Sequence, residues 1–189
     1  MKVSREQAAE NRSRVVDTAA RLFRERGFSG IGVADLMKDA GLTHGGFYGQ
    51  FGSKEVLLDE ACARAFEVSA QDWEKLLAQS PADPLATVVD SYLSTRHRDH
   101  PGRGCAIAAL GADVARQSPA ARLGLTEGVR TMLGKLAELM PGRSNAAKRE
   151  KALAAYASMV GALVLARAVD DPELSEDFLR ATAASLRGA

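Results

Sequence analysis

The chain has 189 residues, is 46% hydrophobic and 26% charged, and carries a formal net charge of +1 with two cysteines. That makes it too apolar for a disordered chain, and long enough to bury a core without disulfides or metal. The opening Met-Lys-Val-Ser-Arg-Glu has no apolar run, and the longest charge-free apolar stretch (152–166) falls short of the roughly 20 residues of a membrane span. A cytoplasmic protein with no membrane partner is therefore expected, and near-neutral charge by itself gives no argument for a nucleic-acid partner.

The pattern predicts an all-α chain of about nine helices. Val15, Ala19, Leu22 and Phe23 recur at helical spacing, and Gly27 follows as a helix terminator. Val33, Leu36, Met37 and Ala40 mark a short second helix, which Gly41 breaks. Leu42, Phe47 and Phe51 supply the apolar side of a third, and Ser53 caps a long fourth helix. Asp83-Pro84 opens the fifth, which reads through Val88, Val89 and Tyr92. A polar loop spans 97–104. A helix begins at Cys105, another at Ser118-Pro119, a long one at Ser144 and the last at Asp171-Pro172.

The segment from Val33 to Lys54 carries the most specific pattern. A helix, a glycine-led turn and a second short helix make a helix-turn-helix. Gly41 permits the turn, and Ala40 and Leu42 pack the two helices. Thr43 is expected to cap the second helix, whose N-terminus then suits a phosphate. A helix this small fits a major groove roughly 12 Å wide.

Arg14 to Phe28 (RVVDTAARLFRERGF) resembles the first helix of TetR/AcrR-type transcriptional regulators, and Asp35 to Glu55 (DLMKDAGLTHGGFYGQFGSKE) is similar to their helix-turn-helix and the entry to helix four. The resemblance runs over about residues 10–60 in order and without gaps. It implies a DNA-binding domain over 1–52 and a ligand-binding and dimerisation domain over 53–189. It further implies that Thr43, Gln50 and Lys54 hold phosphate, that His44 and Gly45 face base edges, and that Tyr48 meets backbone or a thymine methyl. Arg12, with Arg5 and Arg14, adds phosphate contacts. Residues 1–54 hold nine Lys/Arg against six Asp/Glu, a modest surplus in the right place. Three positions depart from the pattern: Gly32 in place of a hydroxyl cap, Ala34 in place of a polar contact, and Gly49. With Gly45 and Gly46, Gly49 softens the reading helix, since each glycine costs a helix interior roughly 0.8–1 kcal/mol relative to alanine.

The implied whole is a homodimeric repressor that a small apolar effector releases from a palindromic operator on double-stranded DNA. Phe66, Trp73, Tyr92, Cys105, Met132 and Met159 are the candidate effector contacts, with plain core packing as the alternative for each. Leu153, Tyr156, Ala157, Val160, Gly161 and Val164, with Phe178 and Leu179, form apolar faces rich in small residues. Two such helices can pair with their copies in a four-helix interface, or simply close the monomer's core. His97, His100 and Cys105 are metal-ligand types in a weak arrangement, so no metal and no cofactor is expected. Cys105 opens a helix, where a thiol can serve as a sensor of electrophiles or oxidants, although a small buried residue is the plainer reading. No nucleophile elbow, phosphate loop or carboxylate pair suggests an enzyme. A helical sensor or carrier that no longer binds DNA is the rival reading.

Overall fold

The computed structural model describes residues 4–79, 82–117 and 119–188, and among these it holds ten α-helices and no strand. α1 (Arg5–Arg26) opens on the Ser4 hydroxyl, which accepts the Gln7 N–H, and closes at Gly27 with φ 76°. α2 (Val33–Asp39) and α3 (Phe47–Phe51) are joined by Gly41, at φ 71°, and by a 3-10 turn over His44–Gly46. α4 (Lys54–Gln79) is the longest, and Ser53 accepts the Val56 N–H at its start. α5 (Pro84–Tyr92), α9 (Asn145–Ala168) and α10 (Pro172–Arg187) open on the expected caps Asp83, Ser144 and Asp171. α7 (Ala106–Ala115) and α8 (Pro119–Leu139) complete the expected set, with Ser118 lying outside the described residues.

The tenth helix was not expected. α6 (Thr95–Asp99) occupies part of the stretch read as a polar loop. Ser94 caps it by accepting the His97 N–H at 3.2 Å, and His100 Nδ1 lies 2.8 Å from the Arg96 carbonyl. Side-chain capping rather than apolar periodicity makes this single turn, so the hydrophobic pattern carries no trace of it.

The core runs from the helix-turn-helix into the rest of the bundle along α4. Val15, Leu22 and Phe23 of α1 pack with Leu36, Met37, Phe47 and Phe51, and the same cluster runs on through Leu57, Leu58, Ala61 and Cys62 of α4 into Leu110 and Val114 of α7. From Ala65 and Phe66 onward, α4 instead packs with Met132, Leu133 and Leu136 of α8 and with Tyr156 of α9. The apolar stripe of α4 thus changes packing partners between Cys62 and Ala65 and serves both clusters. Gly128 lets α8 approach so closely that a β-carbon there would strike the Phe66 ring. A third cluster joins Val88, Val89 and Tyr92 of α5 to Met159 and Leu163 of α9 and Leu179 of α10.

α9 is long and apolar enough to cross a membrane by length and composition. Here Ala152, Ala155, Tyr156, Met159, Leu163 and Ala166 are instead buried against its neighbours.

Candidate nucleic-acid interface and the cavity behind it

The helix-turn-helix holds its apolar residues inward and presents a short polar edge. Phe47 and Phe51 are buried, with ring centroids 5.5 Å apart. Tyr48, between them in sequence, points outward and is 60% exposed. His44 stands edge-on to Tyr48 at 6.0 Å, so the two rings form one outward ridge. Thr43 is exposed and makes no capping bond, contrary to the expected cap; a 3-10 turn rather than an α-turn follows it, and its hydroxyl stays available. Gly32 likewise starts α2 without a side-chain cap. A β-carbon at Gly45 or Gly49 would meet nothing within 4 Å, so the chain's own packing demands neither glycine. The five-residue α3 and its 3-10 lead-in agree with a softened reading helix. Gln50 is half-buried, its amide 3.6 Å from where a Gly46 β-carbon would stand and its Oε1 unpartnered among the described residues.

Lys54 and Arg12 are both engaged inside the module. The Lys54 ammonium donates to the Phe28 carbonyl at 2.5 Å and lies 4.5 Å from the Phe28 ring centroid. Burial lowers its pKa. Arg12 grips both oxygens of Glu60, at 2.5 and 2.6 Å, and covers the Phe51 ring at 4.7 Å. Arg64 pairs with Asp17 at 2.7 Å. These contacts clamp α1 to α4 and leave the two cations little freedom to reach outward.

Behind the head lies a cavity of about 390 Å³. Phe66, Trp73, Tyr92, Cys105 and Met132 line it as expected, but Met159 does not: it is fully buried between α9 and α5. Tyr156, expected at a subunit interface, lines the cavity instead, because its helix turns that face inward onto α4 and α8. The wall is not purely apolar, since Ser69, Asp72, Arg96, His97, His100 and Arg103 also contribute.

His97 organises the inner wall. The Cys105 N–H donates to its Nε2 at 2.9 Å, so Nδ1 carries the proton and donates to the Tyr92 carbonyl at 2.7 Å. Burial, with help from Arg167 and Arg24 and against the Tyr92 carbonyl, pushes the imidazole down to about 4. Both ring nitrogens are used, which leaves no lone pair for a metal. The Cys105 thiol is buried and sits 3.8 Å from the Tyr156 hydroxyl. Burial and the neighbouring thiol hold the Tyr156 phenol far above its usual range, and burial does the same for Tyr92. Both phenols are therefore neutral donors. The Tyr92 hydroxyl, on a residue 6% exposed, has no nitrogen or oxygen partner among the described residues, and its polar neighbour is the Cys105 thiol. Cys62, by contrast, is a packing residue whose thiol burial pushes up to about 12.

Residues 15–61 match the family model described as bacterial regulatory proteins, tetR family. Over that span the chain is similar to the TetR family. Among its relatives, the HTH-type transcriptional repressor NemR of Escherichia coli is 27% identical over 140 residues, which are 72% of this chain and 70% of that protein. The HTH-type transcriptional regulator YerO of Bacillus subtilis is 27% identical over 90 residues, and there the match spans 48% of this chain but only 31% of the relative. A solved TetR transcriptional regulator from Chloroflexus aurantiacus superposes with a TM-score of 0.76 at 25% identity, over 96% of each chain. The all-α fold with an N-terminal helix-turn-helix is thus that of the TetR family from end to end.

The TetR-family likeness is most specific at the head and loosest at the tail. Leu153, Ala157 and Val164 lie exposed along one face of α9, with Val160, Gly161 and Phe178 half-buried beside them. Leu179 does not join them; it packs on Val88 and Met159 in the core. Sequence reasoning missed Leu165 and Leu174, which are 46% and 43% exposed. It also missed Arg24, whose guanidinium donates to the carbonyls of Gly102 at 2.5 Å and Gly104 at 3.1 Å. The spacing Ser94-x-x-His97 was a readable cap signal, whereas nothing in the sequence announced Arg24.

Proposed function

We propose that the chain is a homodimeric, ligand-responsive DNA-binding regulator, with Thr43, His44, Gly45, Tyr48 and Gln50 as the reading surface. The observation that carries this reading is Tyr48, a large aromatic left outside between two buried phenylalanines, beside glycines that the fold itself does not need. Thr43 and the N–H groups that follow it suit a phosphate, and His44 and Tyr48 suit base edges or a thymine methyl. Lys54 and Arg12 support the reading by holding α4 and α1 in register rather than by touching phosphate. The exposed strip of Leu153, Ala157 and Val164 pairs with its copy about a two-fold axis, which sets two heads roughly one DNA turn apart.

The cavity is the effector site in this reading, and the sign of regulation is repression, as in the relative named a repressor. An effector acts only by binding better to a form whose heads no longer match the half-sites; equal affinity for both forms shifts nothing. A coupling of roughly 1–3 kcal/mol changes DNA affinity about 5–150-fold.

Selection of bound duplexes from random DNA with the full chain tests the reading. A two-fold-symmetric site whose retention falls steeply with salt is expected. A carrier without DNA binding would enrich nothing at low ionic strength, and that outcome would overturn the proposal.

A further inference from the structure

The cavity has a chemical polarity of its own. Phe66, Trp73 and Met132 make part of its lining apolar, and the buried hydroxyl of Tyr92, also in the lining, has no nitrogen or oxygen partner among the described residues, only the neighbouring Cys105 thiol. A buried phenol with no nitrogen or oxygen to donate to is costly, and native interiors rarely keep one unless something else completes it. His97 cannot complete it, since its two nitrogens already hold the Tyr92 carbonyl and the Cys105 N–H. Another part of the lining is charged. Arg96, His100 and Arg103 are exposed, and among the described residues neither arginine makes an ion pair. The one acid in the lining, Asp72, lies 3.5 Å from Lys75 of its own helix. The lining therefore combines exposed cations, an apolar part and a buried hydrogen-bond donor.

Resting on the reading of this cavity as the effector site, we propose that it takes an amphipathic organic carboxylate: a flat body of one or two rings, its carboxylate at Arg96 and Arg103, and at its other end an oxygen that accepts from Tyr92. A cavity of about 390 Å³ is at the small end for drug-sized ligands and fits such a molecule. Two guanidinium groups recognise a carboxylate by paired, charge-assisted hydrogen bonds. An apolar ligand would leave both the exposed charges and the Tyr92 hydroxyl unused.

Calorimetric titration of the full chain with 6-hydroxy-2-naphthoate, its methyl ester and 2-naphthoate tests this. The acid should bind about tenfold or more tightly than the ester, since two charge-assisted contacts are lost in the ester. That advantage should shrink with added salt and vanish in the Arg96→Gln/Arg103→Gln double variant, with ester binding unchanged. Removal of the 6-hydroxyl should weaken binding by about fivefold in the wild type, the scale of one hydrogen bond, and have no effect in Tyr92→Phe. An ester that binds as tightly as the acid would overturn the carboxylate assignment while leaving the cavity an effector site. Failure of all three probes to bind would overturn this inference and the effector reading of the cavity together.

Discussion

His97 gives the sharpest test of the structure, because its geometry allows one protonation state. The ring accepts from the Cys105 N–H and donates to the Tyr92 carbonyl, so a second proton would turn the acceptor into a donor facing another donor. Its folded-state value is depressed, from 6.5 to about 4, mainly by burial. A depressed value means the unfolded chain binds the proton more readily between these limits. The stabilisation is then fully present above pH 6.5 and is lost as pH falls toward 4. Linkage makes the whole window worth about 3 kcal/mol, and the loss between pH 7.5 and pH 5 about 2 kcal/mol. Urea unfolding of the wild type and of His97→Gln at fixed protein concentration isolates this contribution from that of the carboxylates. Glutamine keeps an oxygen for the Cys105 N–H but cannot titrate, so the wild type's advantage should shrink by about 2 kcal/mol from pH 7.5 to pH 5. The His97 ring signal, identified by its absence from the variant, should titrate near 4. A constant stability difference across that range, or a midpoint above 6, would refute the assignment of the ring as buried and neutral.

Three further outcomes follow from the placement of single side chains. Tyr48→Ala should weaken binding to a selected operator by about tenfold or more, read by fluorescence anisotropy, with the melting temperature unchanged; wild-type affinity would remove Tyr48 from the reading surface. Lys54→Met should instead lower stability by about 1.5–3 kcal/mol in urea unfolding, the scale of a hydrogen bond to a charged group, because its ammonium is held at the Phe28 carbonyl. Unchanged stability would return Lys54 to the phosphate contacts. Val164→Asp puts a charge on the exposed strip of α9; sedimentation should show single subunits that keep their helix content, and a persistent dimer would move the interface elsewhere.

The head was legible because backbone and side-chain requirements coincide there in sequence. Gly27, Gly41 and Gly52 are the glycines at positive φ, and each marks an element end along the chain. Phe47 and Phe51 recur at one helical turn and are buried together. The tail was less legible, because on α9 both faces are apolar. Tyr156 and Leu153 lie three positions apart, yet Tyr156 lines the cavity while Leu153 faces out; hydrophobic spacing alone cannot say which side meets the core. The polar half of the cavity was illegible for another reason. Arg96 and His97 come from a short capped turn and Arg103 from the 3-10 turn after it, where single hydrogen bonds set the direction and leave no periodic signal. The partners of Arg12 and Lys54 were not legible, since Glu60 and the Phe28 carbonyl come within reach only once the helices have packed.

If the cavity controls the head, the bonds of Arg24 are where the fold can yield. α4 carries the head at Lys54 and the cavity wall at Trp73, about 28 Å apart along one helix at 1.5 Å per residue. A tilt of about 10° at one end of such a lever moves the other by roughly 5 Å, a large error against a half-site spacing of about 34 Å. α1 must follow α4, because Arg12–Glu60 and Arg64–Asp17 bind them and Leu22 and Phe23 are fully buried between them. Pulling either of those side chains from the core costs about 1.5–3 kcal/mol. The far side of α1 adds polar bonds to its packing on Leu110 and Val114. Arg24 donates to the carbonyls of Gly102 and Gly104, and the Phe28 N–H donates to Asp113 at 3.0 Å. Water can replace such partners at the surface of a widening gap, but it cannot replace a packed phenylalanine. The turn that Arg24 holds also contributes Arg103, Gly104 and Cys105 to the cavity. In the proposed reading, a ligand that drew this turn toward itself would loosen the exchangeable set of α1 contacts, and the helix-turn-helix would then move with α1 and α4 as a single body.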